Sequence, residues 1–110
     1  AFGTSDEEIY LLGDWKIRTT RRSNILRTSE GLAGLAGKIG HPTPKPPHLI
    51  EMLLRHAPDG SVADPFCGSG GILLGAKNLG RHAIGIEIEE RYCEIAAERC
   101  RQEVLALGAV

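Results

Sequence analysis

Apolar residues fall into short runs with two alternating spacings, and the spacings predict the elements. Leu49, Ile50, Leu53 and Leu54 recur at helical intervals between Pro47 and the turn signal Pro58, Asp59, Gly60, which predicts a helix over about 47–57. Ser61, Val62, Ala63 and Asp64 read as a short buried strand that runs into a glycine-rich turn, and Gly71 to Leu79 as a helix stopped by Gly80. Arg81 to Glu87 supplies a second strand. From Glu89, the residues Tyr92, Ile95, Ala96, Cys100, Val104 and Leu107 form a stripe of helical period, and Arg99 can pair with Glu103 one turn on. Strand, helix, strand, helix in this order predicts an α/β chain built on a parallel βαβα unit with a right-handed crossover.

Upstream the pattern is weaker. Ile9 to Leu12 is apolar, Gly13 and Asp14 mark a turn, and Trp15 to Arg18 alternates, which predicts a short β-hairpin or arm. Residues 19–40 read as a loop or arm, with glycines at 31, 34, 37 and 40 opposing a helix. His41 to Pro47 is extended, because each proline fixes its own φ and keeps the residue before it out of the helical region. The chain therefore divides at 40/41, into strands plus a basic arm at the end of a larger or missing region and an α/β portion over 41–110.

Composition narrows the class. A chain of 110 residues with 42% hydrophobic and 25% charged residues and a net charge of −1 is globular, and no stretch has the length and apolarity of a membrane span. The charge is uneven: Lys16, Arg18, Arg21, Arg22 and Arg27 make the first third basic, while 87–103 is acidic. A polyanion such as double-stranded DNA would meet the basic third, through phosphates and without reading sequence; a solvated arm is the alternative. Cys67, Cys93 and Cys100 form no metal- or disulfide-type spacing, and the four histidines are scattered, so free thiols, no metal and a reducing cytoplasm are expected.

The chemistry points to the turn. Asp64, Pro65, Phe66, Cys67, Gly68, Ser69, Gly70 follow a strand, and Glu87 ends the next one, an arrangement in which bare backbone meets a ligand and an acid accepts from ribose hydroxyls. Leu73 occupies the third glycine position of the dinucleotide fingerprint, so an NAD-type dehydrogenase fragment is disfavoured. A phosphate-binding Walker loop is excluded, because no Gly-Lys-Ser/Thr follows the glycines. An amino-acid or adenosine ligand remains, with Asp64 offered to an amine; S-adenosylmethionine has both parts. Cys67, next to Phe66 inside the turn, reads as a small buried filler and not as a nucleophile.

The segments HPTPKP (41–46) and DPFCGSG (64–70), in that order, resemble the β class of DNA amino-methyltransferases, and GRHAIGIEIEERYCEIAAERC continues the resemblance to about residue 103. It implies a partial Rossmann-like class I methyltransferase fold and an S-adenosylmethionine site. The residues carried over to that site are His41, Thr43, Lys45, Asp64, Pro65, Phe66, Cys67, Gly68, Ser69, Gly70, Glu87 and Ile88. Thr43 and Lys45 would close the methionine end, Asp64 would lie near its amine, Phe66 against the cofactor, and Glu87 on the ribose. Taken alone, the proline segment also reads as a rigid linker or a polyproline ligand.

Two departures stand out. Gly71 replaces the threonine usual after GSG, which predicts a looser loop. The Asp/Asn/Ser-Pro-Pro-aromatic loop that orients the target amine does not occur in the chain, so no catalytic residue is assigned. In that family the loop precedes these motifs, which places it before residue 1. The resemblance thus implies the cofactor portion of a restriction-modification type DNA methyltransferase, acting on adenine or cytosine flipped from the duplex. The alternative is a non-catalytic or regulatory module that needs a partner chain. Two parallel strands are few for an independent sheet, so a homodimer or a missing N-terminal half is expected to cover the exposed edges.

Overall fold

The computed structural model describes residues 9–15, 40 and 45–108, with side chains through residue 102. Its elements are α1 (Pro47–Leu54), β1 (Val62–Asp64), α2 (Gly71–Asn78), β2 (Ala83–Gly85) and α3 (Glu90–Gly108). Residues 9–15 form no strand. Gly13 takes φ +93°, Trp15 N–H donates back to Gly13 O, and the Trp15 indole donates to Leu12 O at 3.0 Å. These local bonds occupy carbonyls that a hairpin ladder would need. The predicted second strand of that hairpin (Lys16 to Arg18), the 19–40 arm apart from Gly40, and His41 to Pro44 lie outside the described residues.

The proline segment is still extended at Pro46 (φ −60°, ψ 129°), and α1 begins at Pro47. Proline suits that position because its missing N–H would have no intrahelical acceptor there. The helix ends at Leu54, three residues short of the expectation, and the chain tightens: His56 N–H donates to Leu53 O and Ala57 N–H to Leu54 O before Pro58. Arg81 secures this end. Its guanidinium donates to Leu54 O at 3.2 Å, Pro58 O at 2.6 Å and Gly60 O at 2.8 Å, a planar fork matched to carbonyls gathered at a helix C-terminus.

The same residue closes α2. Gly80 sits at φ +70°, its N–H donates to Lys77 O, and Arg81 N–H donates to Ala76 O. This is the paired 5→2 and 6→1 bonding of a Schellman stop, which requires a left-handed residue and so favours glycine. With its backbone in that stop, Arg81 cannot begin β2, which is shorter than the predicted 81–87.

β1 and β2 pair in parallel with register Val62↔Ala83, Ala63↔Ile84 and Asp64↔Gly85, as the strand–helix–strand pattern predicts. Helix α2 packs on both strands, on α1 and on α3, so the small core of Ile50, Leu74, Ala76 and Ala96 gathers around it. The opposite sheet face is open: Ala63, Ile84 and Ile86 are exposed, where the sequence predicted a buried strand. The architecture is a partial Rossmann-like α/β fold.

Glycine 75 explains how α1 reaches α2. A Cβ built there would lie 2.7 Å from Ile50 Cγ2 and 3.2 Å from Ile50 Cβ, both on a stiff β-branched side chain. Gly75→Ala should gain about 1 kcal/mol of helix propensity and lose about 1–3 kcal/mol to overpacking, a net destabilisation of roughly 1 kcal/mol. Urea unfolding checks this, and in an Ile50→Ala background, which removes Cγ2, the same substitution should no longer destabilise.

Candidate functional site

The site is built where β1 ends. Asp64 Oδ1 accepts from Phe66 N–H at 3.1 Å, an aspartate side chain closing its own turn. Ile86 N–H donates to Asp64 O at 2.9 Å and Cys67 N–H to Ile86 O at 3.0 Å, so parallel pairing continues past both strands and ties the bend to the segment carrying Glu87. Gly68 (φ +52°) and Gly70 (φ +86°) both occupy the left-handed region, and Gly70 N–H donates to Cys67 O at 2.8 Å. Gly70 is then the N-cap residue of α2, a conformation that glycine adopts without a Cβ penalty.

Glu87 faces this bend. Its Oε2 accepts from Gly68 N–H at 2.7 Å and its Oε1 from Glu89 N–H at 3.0 Å. The two predicted site elements, glycine turn and acid, are therefore in direct contact. Phe66 and Ile88 flank them, 89% and 95% exposed. Cys93 Sγ lies 3.3 Å from Glu87 O, and all three cysteines are free thiols.

Lys45 is also brought here. Its carbonyl oxygen lies 3.3 Å from an ideal Cβ on Gly71, so the proline segment crosses the start of α2. A side chain at 71 would press on that crossing, which would have to give by a few tenths of an ångström. His41 and Thr43, and the basic residues Lys16, Arg18, Arg21, Arg22 and Arg27, lie outside the described residues.

Three contributors were missed in the sequence. Gly85 lets the bend lie on β2, for its Cβ would meet Leu73 Cδ1 at 2.6 Å and Cys67 Sγ at 2.8 Å. The close helix–strand approach that a dinucleotide fingerprint assigns to its third glycine is reached here with Leu73 on the helix and glycine on the strand. Ala96 of α3 stands 2.8 Å from where a Gly70 Cβ would be. Arg99 donates from Nη1 to Ser69 O at 2.9 Å and to Ser69 Oγ at 3.3 Å; its expected partner Glu103 has its side chain outside the described residues. The small side chain at 96 and the basic one at 99, one turn apart on a helix facing the glycine turn, were the available signals.

The bend is electronegative. The Cys67 thiol is pushed above its ordinary value, first by burial and then by the charges of Asp64 and Glu87, with Cys93 adding to them. Cys67 is half-buried and held in its protonated form, as a filler and not as a nucleophile.

The family model for N6/N4-type DNA methylases matches residues 6–98. The chain belongs to that family. Type II methyltransferase M2.DpnII of Streptococcus pneumoniae is 46% identical over 70 residues, 62% of this chain and 25% of that protein. Type II methyltransferase M.ScaI of Streptomyces caespitosus is 36% identical over 89 residues, 79% of this chain and 26% of that one. The crystal structure of the M1.HpyAVI–SAM complex matches with a TM-score of 0.60 at 34% identity, over 78% of this chain and 44% of that one. The chain thus spans about a quarter of the length of these curated relatives. Among the described residues of this DNA methylase chain, no helix is long and apolar enough to cross a membrane.

The raised Cys67 value has a consequence for stability. The folded chain holds that proton more tightly than the unfolded one, so the contribution is complete below the ordinary value of 9.0 and is lost as pH rises through the folded value. Urea midpoints should fall with increasing pH above about 9, and Cys67→Ala should flatten that fall.

Proposed function

We propose that this chain carries the S-adenosylmethionine-binding portion, residues 41–110, of a methyltransferase that modifies the exocyclic amine of adenine or cytosine in double-stranded DNA. The carrying observation is the glycine bend held between two carboxylates, with Gly68 N–H on Glu87 Oε2 at 2.7 Å. The carboxylates of Asp64 and Glu87, both bonded to amides of the bend, favour a cationic ligand there. S-adenosylmethionine brings an ammonium and a sulfonium, whereas the pyrophosphate of NAD would meet repulsion there. Membership of the DNA methylase family supports the same choice, as does the S-adenosylmethionine (SAM) complex of the related M1.HpyAVI.

S-adenosylmethionine, when bound, supplies a methyl group on a positively charged sulfur. Glu87, whose carboxylate closes on the glycine bend, accepts from ribose hydroxyls. Phe66 and Ile88 offer apolar surface to the adenine. Asp64 faces the methionine amine, with His41, Thr43 and Lys45 closing that end. Pro65, Cys67, Gly68, Ser69 and Gly70 form the bare wall. The loop that orients the target amine is not in this sequence, and belongs to the part of a relative-length polypeptide outside it. Lys16, Arg18, Arg21, Arg22 and Arg27 take phosphate contacts, and the enzyme works in the cytoplasm.

Calorimetry on the full-length protein should show S-adenosylmethionine binding and no NAD binding, and labelled methyl groups should pass to unmethylated DNA. Glu87→Gln should weaken S-adenosylmethionine binding by roughly ten-fold or more, because hydrogen bonds to a charged partner exceed 1.4 kcal/mol. Unchanged affinity would remove the ribose role, and binding without methyl transfer would favour the regulatory module.

A further inference from the structure

We propose that Arg99 is a positioning residue for the cofactor: it fixes the Ser69–Gly70 peptide in the orientation that keeps the glycine bend open to its ligand. The proposal rests on the S-adenosylmethionine reading of the bend. Arg99 contacts the protein behind the site and is assigned no contact with the cofactor.

The hinge is the peptide between Ser69 and Gly70. Rotating that plane exchanges ψ of Ser69 against φ of Gly70, and glycine visits negative φ about as readily as the observed +86°. Sterics at Gly70 therefore do not select one orientation. In the observed one, Gly70 N–H donates to Cys67 O at 2.8 Å, and the next peptide, through Gly70 O, accepts from Leu74 N–H at 2.9 Å, so the first turn of α2 starts directly beside this peptide. Ser69 is 3% exposed, which leaves its carbonyl little access to water. The Arg99 guanidinium meets that carbonyl at 2.9 Å and the Ser69 hydroxyl at 3.3 Å. A flipped peptide would forfeit a charge-assisted bond and bury an unpaired oxygen.

Helix α3 delivers the group by its geometry. Ala96 and Arg99 lie three residues apart and so on one face. Ala96 stands 2.8 Å from where a Gly70 Cβ would be, which sets how closely the helix approaches. Arg99 then reaches Ser69 one turn further on. On the ligand side Glu87 holds the Gly68 amide, so the bend is gripped at one amide in front and one carbonyl behind.

The test uses the full-length protein, with S-adenosylmethionine as the titrant. Arg99→Met, which keeps the aliphatic length and loses the donor, should raise Kd and KM for S-adenosylmethionine about ten-fold. KM for DNA and kcat at saturating S-adenosylmethionine should stay within about two-fold, the split expected when only ground-state cofactor binding is lost. Arg99→Lys, which keeps a single charged donor, should restore affinity to within about three-fold of wild type. A folded Arg99→Met protein with wild-type affinity overturns the proposal, as does an equal rise in KM for DNA. If Arg99→Met does not fold, Arg99→Gln, which removes the charge, decides: a raised Kd confined to S-adenosylmethionine supports the role, and wild-type affinity overturns it. If neither variant folds, the contact is a requirement of the fold and the proposal also falls. Failure of the wild-type protein to bind S-adenosylmethionine would instead overturn the cofactor reading itself.

Discussion

The register between the two parallel strands governs where everything else stands. With Asp64 opposite Gly85, the main chain beyond each strand continues to pair through Ile86 N–H to Asp64 O and Cys67 N–H to Ile86 O. That extension carries Gly68 to the carboxylate of Glu87, 19 positions along the chain, without any loop having to search for it. A slip of one residue would reverse the faces of every side chain in β2 and turn Glu87 away from the bend.

Around this pairing, close approach is obtained by leaving side chains out. Helix α2 is squeezed between α1, α3 and the sheet, and the contacts are made at Gly75 against Ile50, at Gly70 against Ala96 and at Gly85 against Leu73. The Gly70–Ala96 and Gly85–Leu73 contacts lie by the helix start, where the bend is, and Gly75–Ile50 lies a turn further along. Arg81 stiffens the far end by joining the close of α2 to the close of α1. The molecule is thus tied at both ends of one short helix.

Much of this was readable because it is local. Pro47 and Gly80 announced a helix start and stop through their own backbone preferences, and the offset from the glycine turn to Glu87 is a fixed property of one strand–helix–strand unit. The resemblance in DPFCGSG and HPTPKP brought Lys45 to the glycine turn, where it lies beside Gly71. The failures were contacts between distant positions. Nothing near Arg99 indicates that one of its partners is a carbonyl 30 residues upstream. The crossing of the Lys45 main chain over Gly71 likewise cannot be seen from one sequence. Residues 9–15 form no strand for the opposite reason: Trp15 makes its hydrogen bonds to Leu12 and Gly13 within its own turn.

The uncovered side of the sheet has a consequence of its own. Ile84 in β2 and Ile86 just beyond it stand 65% and 63% exposed, beside parallel pairing, a geometry that ordinarily has both sides shielded from water. Such a greasy ribbon is adhesive, and in concentrated solution it would draw molecules together without reference to nucleotide or DNA. Threonine at position 84 would keep the branched shape that suits an extended backbone while giving water something to hold.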